Sequence, residues 1–142
     1  MKETKKLEIL LVDDDSIDRE LFVDALTSLS FEGVVREASS GNEALGVLKN
    51  NLTTSFIILD LNMPLKDGRE TLRELKSDRQ LRHIPVVVLS TSNSHIDVLE
   101  SYEAGACLFV EKPHDFGALV EMLKFIVSLM GKYVSFVKVD GA

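Results

Sequence analysis

The stretch Ile9-Leu10-Leu11-Val12-Asp13-Asp14-Asp15, set beside Phe56-Ile57-Ile58-Leu59-Asp60, decides the fold. Each is a short unbroken aliphatic run that stops on carboxylates. Alternating polar and apolar residues would mark a strand with one wet face. An unbroken run marks a strand buried on both faces, as in a parallel sheet covered by helices. Two more runs are built the same way: Pro85-Val86-Val87-Val88-Leu89 stops on Ser90-Thr91, and Cys107-Leu108-Phe109-Val110 passes through Glu111 to Lys112-Pro113. In an open parallel sheet, ligands bind outside the carboxyl ends of the strands. The pattern therefore predicts carboxylates, a hydroxyl and an ammonium on one sheet edge, the groups that a phosphate-handling site needs.

Between these runs the apolar spacing becomes helical, which is the alternation of an α/β fold. Ser16 to Leu29 predicts a first helix with Ile17, Leu21, Ala25 and Leu29 as its stripe. A second strand spans about Val34 to Ala38, and Ser40-Gly41-Asn42-Glu43 is a capping box for a helix containing Ala44, Leu45 and Leu48. Asn62-Met63-Pro64-Leu65-Lys66-Asp67-Gly68 reads as loop by its Pro and Gly. A third helix runs from about Arg69 to Ser77, before Pro85 restarts extended chain. Ser94 to Ala104 predicts a fourth helix stopped by Gly105, and Asp115 to Met130 a fifth stopped by Gly131. The expected architecture is a doubly wound α/β domain of five parallel strands and five helices over residues 1–131, with residues 132–142 as a C-terminal tail.

The chain has 142 residues, 45% hydrophobic and 27% charged, which suits one domain with a substantial core. A net charge of −7, without a basic helix or interleaved aromatic and basic residues, argues against nucleic-acid binding. No apolar stretch approaches the roughly 20 residues of a membrane span. No signal-peptide core follows Met1-Lys2-Glu3-Thr4-Lys5-Lys6, so a cytoplasmic protein is expected, with no membrane partner. The single cysteine, Cys107, is expected inside a strand as a small buried hydrophobe.

Each polar residue has an ordinary reading to set against a chemical one. Asp14 and Asp15 precede a helix, where a carboxylate is favoured as a cap, but capping explains one aspartate and not three in a row. Asp60 ends an aliphatic run and enters a loop, so it has no helix to cap; buried there, it needs a partner, a metal or a proton. Asp67-Gly68 alone is a turn, and Ser90 and Thr91 alone are strand-end hydroxyls. Lys112, directly after an apolar strand, is placed to neutralise aspartates that end other strands. Asp13, Asp14 and Asp60 gathered together would repel unless a cation joined them. Mg²⁺ suits such a set, taking oxygen ligands from one or two carboxylates, water and a phosphate. A carboxylate can attack a phosphoryl group to give an aspartyl-phosphate, with metal and lysine offsetting the charge. Asp60 is the expected nucleophile, its strand lying between those that carry Asp13 and Ser90.

The order Asp13-Asp14, Asp60-x-Asn62-Met63-Pro64-x-x-Asp67-Gly68, Ser90, Lys112-Pro113 resembles the receiver domain of bacterial two-component response regulators, from about Leu7 to Met130. The resemblance implies a flavodoxin-like sheet with strand order 2-1-3-4-5. It implies that Asp60 is the phosphoacceptor, Asp13 and Asp14 the acidic metal pair, and Asn62 a metal ligand through its backbone carbonyl. Ser90 would be the switch hydroxyl, Lys112 the phosphate-pairing lysine, and Lys112–Pro113 a cis bond. It also implies Mg²⁺ as cofactor and a sensor histidine kinase or phosphotransfer protein as partner. No enzymatic activity is implied beyond self-catalysed phosphotransfer and dephosphorylation. Asp13-Asp14-Asp15-Ser16 and Leu89-Ser90-Thr91-Ser92 resemble the stand-alone receivers that pair with phytochrome-type sensor kinases. One position departs: Phe109 stands where the family often has tyrosine, so the aromatic can rotate but offers no hydroxyl.

A rival reading is a phosphohydrolase of the haloacid dehalogenase type, with Asp13 as nucleophile and Asp15 as general acid. It leaves Asp60 unexplained and has little room for a substrate cap. A constitutive interaction module that never takes phosphate would leave the whole acidic set unexplained. In the fifth helix, Leu119, Leu123, Ile126 and Met130 supply an inward stripe, and Met122, Phe125 and Leu129 form a second one. With Ile96, Val98 and Phe109, that second stripe predicts a two-fold homodimer through helix four, strand five and helix five. The alternative is that the apolar Tyr133–Val137 segment folds back over the helix. With only Lys132 to Ala142 beyond it, no output domain is expected and signalling would proceed by protein contacts.

Overall fold

The structure is a computed structural model that describes residues 6–63 and 68–138. Strands and helices alternate as β1 (Glu8–Val12), α1 (Ser16–Ser28), β2 (Val34–Ala38), α2 (Gly41–Lys49), β3 (Phe56–Asp60), α3 (Gly68–Ser77), β4 (Val86–Ser90), α4 (His95–Glu103), β5 (Leu108–Glu111) and α5 (Phe116–Lys132). The strands form one parallel sheet in the order β2-β1-β3-β4-β5, as expected.

The unbroken runs have a direct cause. Along β1, Ile9 and Leu11 point to the layer containing Phe22, Ala25 and Leu26 of α1 and Leu119, Leu123, Ile126 and Met130 of α5. Leu10 and Val12 point to the opposite layer, against Ala44 and Leu48 of α2 and Leu72 and Leu75 of α3. Both faces are covered, so neither parity of residue can be polar. β3 and β4 are buried end to end. The fourth run behaves differently. β5 has a strand on one side only, so Leu108, Phe109 and Val110 are half-buried and Glu111 is exposed. On that open side the Tyr102 hydroxyl of α4 accepts the Phe109 N–H at 3.1 Å.

The caps follow local chemistry. Ser40, Ser94 and Asp115 each accept an N–H three residues on, at the starts of α2, α4 and α5. Gly105, at φ +106°, ends α4 in a conformation that side-chain-bearing residues avoid. Gly68 answers a different need: a Cβ there would lie 2.6 Å from the Asp60 carbonyl oxygen. Its absence lets α3 start directly against the end of β3.

Several expectations are corrected. The inward stripe of α1 is Phe22, Ala25 and Leu26, while Ile17 is 67% exposed and Leu21 is exposed too. A helix offers competing stripes one residue apart, and burying the Phe22 ring outweighs burying Ile17. α5 continues through a buried Gly131 to Lys132, because glycine lacks a stop signal unless the chain adopts positive φ there. Cys107 precedes β5 and is exposed, its N–H donating to the Val86 carbonyl at 2.9 Å. Among the described residues every peptide bond is trans, Lys112–Pro113 included; trans is the default for X–Pro unless neighbours impose the alternative. The middle of the β3–α3 loop, with Asp67, lies outside the described residues. No helix among them is long and apolar enough to cross a membrane.

Candidate functional site

At the carboxyl edge of the sheet, carboxylate oxygens of Asp13, Asp14 and Asp60 lie within 4.8 Å of one another. Asp13 and Asp60 are buried and Asp14 is exposed, which leaves the cluster open on one side. Asp13 is held from three directions. Its N–H donates to the Ala38 carbonyl at 3.0 Å, its Oδ1 accepts the Asp15 N–H at 2.9 Å, and its carbonyl accepts from Arg19 Nη1 at 2.6 Å. Burial, with the Asp60 carboxylate adding to it, pushes the Asp13 carboxyl up to about 6 against the lowering pull of the Asp15 N–H and Lys112.

Asp60 is oriented by its own loop: Oδ1 accepts the Asn62 N–H at 3.0 Å, while Oδ2 lies 3.6 Å from Lys112 Nζ. Lys112 Nζ also lies 3.5 Å from Asp13 Oδ2 and 3.1 Å from Asp18 Oδ2. Burial pulls Lys112 down, but Asp60, Asp13 and Asp18 outweigh it and hold the ammonium above the usual lysine value. Asp13, Asp14 and Asp60 still outnumber that single ammonium. Oxygen donors with excess negative charge and an open side are what a hard divalent cation requires, so the residues fit one.

Ser90, fully buried at the end of β4, donates from Oγ to Asn62 Oδ1 at 3.1 Å and accepts the Ser92 N–H at 3.1 Å. Thr91 N–H donates to the same Asn62 oxygen at 3.2 Å. The Asn62 side chain thus ties the end of β4 to the loop after β3, a link the residue order alone does not disclose. Lys112 N–H donates to the Ser90 carbonyl at 2.8 Å, so three strand ends are joined. Asp15 stands apart from the cluster chemistry. Its carboxylate accepts the Ile17 and Asp18 N–H groups as the cap of α1.

Two contributors escape a sequence reading. Arg19 clamps the β1–α1 loop while also pairing with Glu37 at 3.2 Å. Asp18 reaches Lys112 across 94 residues of chain. An acidic residue in a first helical turn is commonplace, and only the packing of α1 beside α5 gives this one a partner.

Away from the site, the expected interface residues divide. Ile96, Phe125 and Leu129 are exposed, and Leu99 and Tyr102 join them. Val98 and Met122 are half-buried. Phe109 packs partly into the layer under α2 and α3, and not toward α5. The described tail folds back in part: Val134 and Phe136 pack against the α1–α5 layer, and Phe136, Val137 and Lys138 line a cleft with Leu52, Thr53, Thr54 and Ser55. Phe125 stays 67% exposed.

A family model described as response regulator receiver domain matches residues 9–124. Response regulator Rcp1 of Synechocystis sp. is 36% identical over 126 residues, covering 84% of this chain and 86% of that relative. Chemotaxis protein CheY1 of Helicobacter pylori is 31% identical over 121 residues, with 85% and 97% covered. The crystal structure of the Mn²⁺-bound form of response regulator Rcp1 superposes with a TM-score of 0.82 at 33% identity, covering 93% of this chain and 99% of that one. The phosphorylated cyanobacterial phytochrome response regulator RcpA does so with a TM-score of 0.84 at 34% identity, over 94% and 99%. The matched span starts within β1 and ends within α5, enclosing every residue of the acidic and basic cluster, and by this match the chain belongs to the response regulator receiver domain family of two-component signalling.

Proposed function

We propose that Asp60 accepts a phosphoryl group from a sensor histidine kinase or phosphotransfer protein, and that output is a change of protein contacts. The observation that carries this reading is the gathering of Asp13, Asp14 and Asp60 around an ammonium at the carboxyl edge of the sheet. A carboxylate oxygen of Asp60 bonds phosphorus while the donor's bond to phosphorus breaks, its electron pair leaving with the donor. Lys112 donates to a phosphoryl oxygen, and Ser90 turns its hydroxyl from Asn62 toward another. Asp13, Asp14, Asp60 and the Asn62 backbone carbonyl would hold Mg²⁺, which supplies positive charge against that of the phosphoryl group. The Mn²⁺-bound form of Rcp1 supports a divalent ion in this family.

Ser90, drawn inward, vacates space that Phe109 fills, a shift between two packings. Like RcpA, the chain is read as a phytochrome-associated receiver, with residues 1–131 as the working unit and 132–142 as a tail, acting in the cytoplasm without nucleic acid. It is read as an acceptor that catalyses its own phosphorylation and dephosphorylation, without other enzymatic turnover. Exposed Ile96, Leu99, Tyr102, Phe125 and Leu129 support a homodimer through α4, β5 and α5. The haloacid dehalogenase reading is disfavoured because Asp15, its general acid, is engaged as the α1 cap. Labelling with acetyl phosphate and Mg²⁺ tests the central claim: a single phosphoryl group is expected, and it should vanish in Asp60→Asn.

A further inference from the structure

Lys112 has three carboxylate neighbours, and the nearest is not the proposed phosphoacceptor. Its Nζ lies 3.1 Å from Asp18 Oδ2, against 3.5 Å from Asp13 Oδ2 and 3.6 Å from Asp60 Oδ2. The Asp18 contact is the one of ordinary hydrogen-bond length. Asp18 serves neither of the other acidic tasks here, since the cap of α1 is Asp15 and the clustered carboxylates are Asp13, Asp14 and Asp60. It is also the most exposed of the three neighbours, with a side chain 35% accessible against 2% for Asp13 and 5% for Asp60.

We propose that Asp18 is a positioning residue that competes with the phosphoryl group for Lys112. In the unphosphorylated protein it draws the ammonium toward α1, short of Asp60; once Asp60 is phosphorylated, the ammonium passes to the phosphoryl oxygens. The inference rests on Asp60 being the phosphoacceptor. A phosphoryl group brings more negative charge than one carboxylate and three acceptor oxygens. It also lies on the buried side of Lys112, where water screens attraction less than at Asp18. The exchange therefore favours the phosphoryl group, and Asp18 delays it without preventing it. Release leaves the Asp18 carboxylate unneutralised beside a groove lined by Leu21, Thr91, Pro113 and Phe116, so phosphorylation makes the mouth of that groove more acidic.

The test compares labelling by acetyl phosphate with Mg²⁺, in which an Asp60 oxygen bonds phosphorus as acetate leaves with the electron pair of the broken P–O bond. Asp18→Asn removes the competitor and should speed labelling about two- to fivefold, the factor that corresponds to a partly exposed ion pair. Beryllofluoride with Mg²⁺, followed by ¹⁹F NMR, should bind more tightly by a similar factor. Asp18→Ala should behave like Asp18→Asn, which guards against one variant folding poorly. Asp18→Glu keeps the carboxylate and should return the parent rate. Glu20→Gln removes the same charge from an exposed position of the same helix and should leave the rate unchanged. Slower labelling in Asp18→Asn, or a change equal to that of Glu20→Gln, overturns the proposal. Labelling that persists in Asp60→Asn would instead overturn the phosphoacceptor reading.

Discussion

At Asp13, a carboxyl group with an ordinary value of 3.8 is pushed up to about 6 by burial, with Asp60 adding to the push. The folded, metal-free protein therefore binds this proton more strongly than the unfolded chain does. On this account its stability is greatest below the unfolded value and declines as pH rises through about 6. A divalent ion replaces the proton and removes that cost. Mg²⁺ should thus raise Tm more at about pH 7.5 than at about pH 5, where the proton competes for the same oxygens. Calorimetry at both pH values checks this, and equal shifts would mean that Asp13 is not a ligand. Asp15 should behave otherwise. Asp15→Ala removes a helix cap, costing about 0.5–2 kcal/mol in denaturant titration while labelling at Asp60 persists. Labelling that survives Asp60→Asn and disappears in Asp13→Asn would favour the dehalogenase-type chemistry. The three consecutive aspartates look alike in the sequence; that Asp15 caps α1 while Asp13 and Asp14 gather with Asp60 comes from where the fold places each side chain.

The elements show where local patterns decide and where they do not. The starts of α2, α4 and α5 are legible because Ser40, Ser94 and Asp115 act on N–H groups three residues away. The inward face of α1 and the end of α5 are not, since they depend on what another layer offers. In α5, Leu123 is fully buried against the sheet, so Leu123→Ala should cost about 2–5 kcal/mol of unfolding free energy in denaturant titration. The Ser90–Asn62–Thr91 link joins β4 to the loop after β3. Ser90→Ala should leave labelling largely intact but weaken the phosphorylation-dependent change in partner or dimer affinity. An unchanged response, measured by titration of phosphorylated and unphosphorylated protein, would mean that the signal takes another route.

For the whole molecule, the open question of what covers the last helix is narrowed by the tail. Val134 and Phe136 fold against the α1–α5 layer, so part of the apolar tail is accounted for, yet Phe125 and Leu129 remain exposed. A self-complementary two-fold interface places each substitution in it twice. Phe125→Glu should therefore give a monomer in sedimentation that still accepts phosphate at Asp60, with little loss of stability because the side chain is exposed. Parent protein that sediments as a monomer with and without phosphodonor at tens of micromolar would rule the dimer out.

The sequence by itself determined the fold class, the number and order of elements, and the residues of the acidic cluster. Those follow from unbroken aliphatic runs, which a parallel sheet covered on both faces accommodates, and from the rule that such a sheet binds ligands at the carboxyl ends of its strands. The tertiary structure alone decided that β5 is a half-buried edge, that Phe22 outcompetes Ile17 for the core, and that Asn62 bonds Ser90. It also decided that Lys112 leans toward Asp18. Each is a choice between partners far apart in the chain, settled by distance and burial, and residue spacing carries no information about either.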